Sequence, residues 1–180
     1  MTERSGNTGT FSIRPANAAD AACLPAIEQS AGELFACQPD LAWLAKGENR
    51  SVASYRMLID GGWAWVAEDE TGERCAFLAA RQIGDALHID EFAVALPWQR
   101  HGIGTALMGV AIDAAISRNL CAVTLTTFID VAWNAPAYAR AGFRRLDTAE
   151  IGPALRAILD FEAAAGLPAD RRCAMQLDLG

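Results

Sequence analysis

Apolar residues fall at every second position in some runs of the chain and at every third or fourth in others, which predicts strands alternating with helices. Phe11 and Ile13 begin a first strand, and a helical region follows over about 17–29, its early part limited by Pro25. The segment 30–50 carries the weakest pattern. In 51–60, Val52, Tyr55, Leu58 and Ile59 share one side of a helix, and Gly61 is placed to end it. Two strand-like runs, 63–68 and 75–81, are joined by DETG into an antiparallel hairpin, and 87–94 supplies the next strand. A helix over 103–118 is apolar nearly all round, with Ala106, Gly109, Ala111, Ala114 and Ala115 small enough for close packing, so it should be largely buried. A strand at 122–129, a short helix at 135–141 ending at Gly142, and a short strand at 143–146 come next. Pro153 and Gly166 bracket another helix, after which Cys173, Met175, Leu177 and Leu179 alternate as a final strand. These elements predict an α/β fold, a mixed sheet covered by helices, with no internal repeat and no long linker.

The run 87–118 is the most informative, because the extended LHIDEFAV breaks at LPWQRHGIGTAL and becomes a helix. Gln99, Gly102 and Gly104 have the spacing Q-x-x-G-x-G, suited to a tight turn that points free amides and the helix dipole at one anion. Glycine permits positive φ and close approach of the backbone to a pyrophosphate. A Walker loop is excluded, since no Gly-Lys-Ser or Gly-Lys-Thr follows. A dinucleotide fingerprint fits poorly, with Leu107 where a third Gly or Ala belongs and Thr124 near the place of the ribose-binding acid.

The string F-A-V-x-L-P-x-x-Q-R-x-G-I-G-x-A-L resembles the acyl-CoA-binding signature of the GNAT superfamily of N-acetyltransferases. LTTF at 125–128 and WNAPAYARAGF at 133–143 are similar to the strand and Tyr-bearing helix that close that family's active site, and FSIRPAN at 11–17 is similar to its first strand. The resemblance implies a mixed, mostly antiparallel sheet of about seven strands flanked by helices. It also implies acetyl-CoA as cosubstrate and direct transfer to an amine in a ternary complex. Cofactor contacts then fall on Phe92, Ala93, Val94, Gln99, Arg100, His101, Gly102, Ile103, Gly104 and Thr105, with a backbone amide near Val94 polarising the acetyl carbonyl. Tyr138, four residues before Gly142, is the implied acid. Where the family often has Asn seven residues before this Tyr, Val131 stands, and the nearby Asn is Asn134. Arg140, Arg144 and Arg145 are candidates for the nucleotide end of the cofactor or for solvated surface. Phe35, Trp43, Phe128 and Trp133 are candidate walls of an acceptor pocket.

Chemistry narrows the remaining role. An alkylamine of pKa near 10.4 must lose a proton before attacking a thioester, and holding it neutral at pH 7 costs roughly 4.6 kcal/mol, so a general base is useful. Strand alternation puts His88, Asp90, Phe92 and Val94 on one face, with Leu87, Ile89, Glu91 and Ala93 on the other; a bulge would exchange them. Several members of the superfamily carry a substrate-facing acid or His at the position matching Asp90. Glu91, among apolar neighbours, would have its pKa raised unless partnered. Asp90 and Glu91 stand as equal candidates ahead of His88, and for any one of the three a structural hydrogen bond or ion pair is the commoner role.

A chain of 180 residues with 52% hydrophobic content can bury one sizeable core, which predicts a single domain over 11–180 after a disordered polar tail at 1–10. With no long apolar run and no signal-peptide core, the expected location is the cytoplasm, away from membranes. The five cysteines lack a C-x-x-C pair and are expected as reduced, mostly buried thiols. Two histidines without ligand spacing predict no metal site. A formal charge of −7 disfavours nucleic acid and leaves a cationic amine acceptor plausible. The resemblance leaves room for a homodimer. The alternatives are another acyl-CoA donor, or a non-catalytic acyl-CoA-binding or sensing module that keeps the loop without needing base or acid.

Overall fold

In a computed structural model, residues 10–47 and 49–180 are described, so the tail expected to be disordered lies outside the described residues except at Thr10. Seven strands form one sheet in the order β1-β2-β3-β4-β5-β7-β6. They are β1 (Phe11–Pro15), β2 (Ala64–Asp69), β3 (Arg74–Ile83), β4 (Ala86–Val94), β5 (Ala122–Phe128), β6 (Arg144–Arg145) and β7 (Arg172–Asp178). Five helices accompany them: α1 (Leu24–Gly32), α2 (Val52–Asp60), α3 (Ile103–Ser117), α4 (Ala135–Arg140) and α5 (Pro153–Ala164). The mixed, mostly antiparallel sheet expected from the resemblance is present. β4 and β5 run parallel, with Ala86 to Ile89 opposite Ala122 to Leu125, which requires the chain to return through α3.

Compactness divides the chain into two units, one of residues up to Ala80 with Glu91–Ala111, the other of Arg81–Asp90 with Ile112–Gly180. The divisions fall inside β3, β4 and α3 rather than in a linker. In the first unit, Leu24 and Ile27 of α1 pack with Tyr55 and Ile59 of α2 against Val66, Phe77, Ala79 and Ala93 of the strands. Tyr55 meets Phe77 edge-on at 5.2 Å between ring centroids, a geometry that the ring quadrupoles favour. In the second unit, buried Val123 and Leu125 of β5 and Cys173, Ala174 and Met175 of β7 form the strand core.

Several expectations need correction. The weakly patterned 30–50 contains two 3-10 helices, Glu33–Cys37 and Pro39–Lys46, whose three-residue turn produces no α-helical stripe. Helix α2 is capped by Ser51, whose Oγ accepts from the Ser54 amide at 3.2 Å, and it ends at Gly61 as expected, with the left-handed φ one residue later at Gly62. Helix α3 is not buried all round: Ile103, Leu107, Met108, Ala111 and Ala115 form the buried stripe, while Ile116 is exposed. Cys75 and Cys173 are buried, yet Cys37 and Cys121 are exposed, so the thiols are not mostly buried.

One ionic knot ties the first unit's edge together. Asp20, fully buried, accepts from Arg14 at 2.8 and 2.9 Å, from Arg74 at 2.8 Å and from the Asn17 amide at 2.8 Å. Despite burial, Arg14 above all, then the Asn17 amide and Arg74, hold the Asp20 carboxyl well below the usual carboxylate range. Its stabilising contribution is present above the unfolded value near 4 and is lost as pH falls below it. Asp20→Asn should cost roughly 3 kcal/mol in urea unfolding at pH 7 and should flatten the wild type's stability loss below about pH 4.

Candidate functional site

The loop after β4 is built from backbone. A 3-10 turn, Leu96–Trp98, follows the strand, and the Gln99 Nε2 donates back to the Val94 carbonyl at 3.0 Å. Gln99 therefore fastens the loop to the end of β4. Arg100 and Gly102 take left-handed φ of 66° and 83°, a conformation that turns successive amides into a concave, anion-binding surface. At the mouth of α3, the Ala106 amide donates to the Gly102 carbonyl at 3.0 Å, and the amides ahead of it lack an intrahelical acceptor. His101 Nδ1–H donates to the Gln99 carbonyl at 2.9 Å, which fixes the tautomer, since a carbonyl can only accept.

The two glycines serve different ends. A Cβ at Gly102 would meet nothing within 4 Å, so its demand is conformational. A Cβ at Gly104 would lie 3.3 Å from Phe92 Cζ and 3.7 Å from Val94 Cγ2, so there glycine lets the helix sit close to β4. The spacing alone suggests only close approach to a ligand at both positions.

Glu91 and Ala93 point to the opposite side of the strand. Ala93 lies in the cluster with Leu24, Ile27 and Tyr55, so the expected alternation holds over Glu91 to Val94. The Arg50 Nε lies 3.4 Å from Glu91 Oε2. Nearby, Glu28 Oε2 accepts from the Tyr55 hydroxyl at 2.6 Å and from the Arg50 amide at 3.1 Å. Burial, reinforced by the negative charge of Glu28, pushes the Glu91 carboxyl up to about 7, against the pull of Arg50 and the Phe92 amide. Burial, then Glu91 and Glu28, raises the Tyr55 phenol far above its ordinary range, so it remains a neutral donor.

In the second unit Asp90 has a different environment. Its side chain is only 5% exposed and pairs with Arg81 Nη2 at 3.1 Å. His88 is buried with Nδ1 3.1 Å from Thr124 Oγ1, and burial, with Arg81 adding to it, lowers its pKa to about 4. The ring is neutral at pH 7. Tyr138 is half-buried on α4, its ring 5.7 Å from that of Phe143. Asn134 links Tyr138 to the sheet: Thr127 Oγ1 of β5 donates to its side-chain oxygen at 2.6 Å, and its carbonyl accepts the Tyr138 amide at 3.0 Å.

Among the remaining candidates, Trp43 is exposed, and Phe128 is buried with the Arg172 guanidinium 4.6 Å from its ring centroid. Arg144 is exposed and pairs with Glu150 at 2.8 Å and Asp178 at 3.5 Å. Glu28, Arg50 and Tyr55 escape the sequence reading. The only trace they leave is Tyr55 on the apolar side of α2. Among the described residues no His, Cys, Asp and Glu group could hold a metal, and no helix is long and apolar enough to cross a membrane.

Residues 29–143 match the acetyltransferase (GNAT) family. The fold is similar to that of the ribosomal-protein-S18-alanine N-acetyltransferase of Escherichia coli, with a TM-score of 0.65 and 18% identity over 95% of each chain. It is also similar to the PaiA N-acetyltransferase of Thermoplasma acidophilum solved with coenzyme A, with a TM-score of 0.68 and 12% identity over 94% of this chain and 99% of that one. A GNAT acetyltransferase of Staphylococcus aureus gives a TM-score of 0.69 and 14% identity over 95% of this chain and all of the other.

The contrast between the glycines predicts separate failures. Gly102→Ala should cost about 1 kcal/mol of backbone strain and weaken acetyl-CoA binding through the altered loop. Gly104→Val should lower the melting temperature by more, because Phe92 must move. Equal losses of stability in the two variants, read by calorimetry, would count against distinct roles.

Proposed function

Because the chain belongs to the GNAT acetyltransferase family, we propose that it transfers an acetyl group from acetyl-CoA to an amine by direct attack in a ternary complex. What carries this reading is the left-handed Arg100 and Gly102 pair ahead of α3, inside the stretch that matches the family. Coenzyme A in the structure of the PaiA relative supports a CoA thioester as donor. That thioester supplies an activated acyl group with a sulfur leaving group.

The chain's own residues perform the rest. Backbone amides from Arg100 through Thr105, with the positive end of α3, hold the pyrophosphate, while the Arg100 guanidinium adds positive charge and the His101 ring, tied to the Gln99 carbonyl, holds the loop. Ile103 and Gly104 seat the helix close enough to β4 for those amides to stay aimed. The backbone from Phe92 through Ala93 to Val94 offers the amide that polarises the acyl carbonyl. Glu91 Oε1 or Oε2 takes the proton from the ammonium, and Tyr138 Oη donates its proton to the departing sulfur.

Glu91 is the better base of the two carboxylates. A value near 7 puts its basicity close to the working pH, where general-base catalysis is most effective. Asp90 is already engaged by Arg81 Nη2 at 3.1 Å. The acceptor is an amine of a small molecule or protein.

Glu91 must be ionised to act, so turnover should rise with pH through about 7. Glu91→Gln should remove that rise, lower turnover about a hundredfold at neutral pH, and recover in part as the amine's own pKa is approached. The same variant should gain stability. A carboxyl raised above its unfolded value stabilises fully only below that value and loses the contribution as pH climbs through 7, so the amide should unfold later at pH 8 by roughly 1–3 kcal/mol. A wild-type pH profile in Glu91→Gln, with the profile altered in Asp90→Asn, would move the role to Asp90. Tyr138→Phe should cut turnover by roughly tenfold to a thousandfold while acetyl-CoA affinity stays within about twofold, measured by titration and thiol release. Binding without thiol release over an amine panel would reduce the protein to an acyl-CoA-binding module.

A further inference from the structure

The connection between β6 and β7 borders a partly open cavity of about 260 Å3, walled by β6, α5 and β7. Of its lining residues only Arg145 is named above as a candidate for the donor, at its nucleotide end or as solvated surface, and none is named for proton transfer. Three arginines reach it, and they are not equivalent. Arg172 is neutralised, its Nε and Nη2 donating to Glu162 at 3.0 and 2.8 Å. Arg156 Nη2 donates to the Thr148 carbonyl at 3.1 Å, which orders the guanidinium without cancelling its charge. Arg145 has no hydrogen-bond or ion-pair partner among the described residues. The wall also holds one carboxylate, Asp160, one turn along α5 from Arg156, and it too makes no ion pair among the described residues. Two guanidiniums thus share a recess with a single carboxylate that neutralises neither.

Leu146, Ile151 and Leu159 supply the larger apolar side chains of the wall, beside Thr148 and small residues. A guanidinium presents donors in a planar fork that matches a carboxylate or phosphate oxygen pair, and an apolar wall favours a ligand with a carbon body over a bare ion. The volume lies below the roughly 300–1,000 Å3 of pockets for drug-sized ligands, which limits the occupant to a few carbon atoms.

We propose that this cavity binds a small organic carboxylate, its acid group held by Arg145 and Arg156 and its carbon chain against Leu146, Ile151 and Leu159. Binding would join β6, α5 and β7, so occupancy should be visible as thermal stabilisation of the whole chain.

The test is thermal melting of the full chain, with titration calorimetry, against glutarate, adipate and hexanoate, the neutral glutaramide, and inorganic phosphate. At least one carboxylate should raise the melting temperature saturably, and glutaramide should not. Arg145→Met breaks no side-chain hydrogen bond or ion pair among the described residues and should weaken that carboxylate on the order of tenfold or more. Its melting temperature without ligand and its acetyl-CoA affinity should both match the wild type. No response to any carboxylate, an equal response to glutaramide or to phosphate, or undiminished affinity in Arg145→Met would overturn the inference. A parallel fall in acetyl-CoA affinity would assign Arg145 to the donor, overturning it while leaving the proposed transfer reaction intact.

Discussion

The pleat of β4 from Glu91 to Val94 is the constraint on which the first unit depends. Successive side chains on a strand must point to opposite faces, so four residues serve two neighbours at once. Phe92 and Val94 receive the N-terminal turn of α3, which comes close because residue 104 has no side chain. Glu91 and Ala93 face α1 and α2, where apolar packing surrounds a carboxylate. A shift of one residue in this strand would put the carboxylate under α3 and the phenyl ring among Leu24 and Ile27.

Three acids, Asp20, Asp90 and Glu91, show how environment rather than residue type decides what a carboxyl does. Asp20 is ringed by two arginines and a backbone amide and is a permanent anion. Asp90 has one arginine, on a solvent-facing stem. Glu91 has an arginine at a looser 3.4 Å and a second carboxylate nearby, so desolvation prevails. Ionising Glu91 at neutral pH works against the folded state, as expected where reactivity and stability are set by the same burial.

Much of the architecture is legible because its signals are local. The glycine loop, the DETG hairpin and the Pro153 start of α5 each occupy a few consecutive residues with strong conformational demands. What escapes the sequence is long-range. Glu28 and Tyr55 are 27 positions apart, and Arg50 and Glu91 are 41 apart, so no window along the chain contains the pairs. Asp20 likewise meets Arg74 across 54 positions. Asp90 and Glu91 cannot be separated from sequence because the distinction depends on these partners. The failure at α3 is of another kind: hydrophobicity on every side marks a helix without saying which side is covered, and Ile116 is left half in water.

The order β5-β7-β6 has a consequence for the nascent chain. β7 is synthesised after β5 and β6, yet it lies between them and pairs with both. Until Arg172–Asp178 leaves the ribosome, β6 has no partner and the far edge of β5 is open. That edge, AVTLTTF, is uncharged and rich in β-branched residues, the composition of a segment that recruits other chains. A nascent chain that has released β5 before β7 docks therefore displays an adhesive strand without its natural cover, which makes that interval an aggregation hazard.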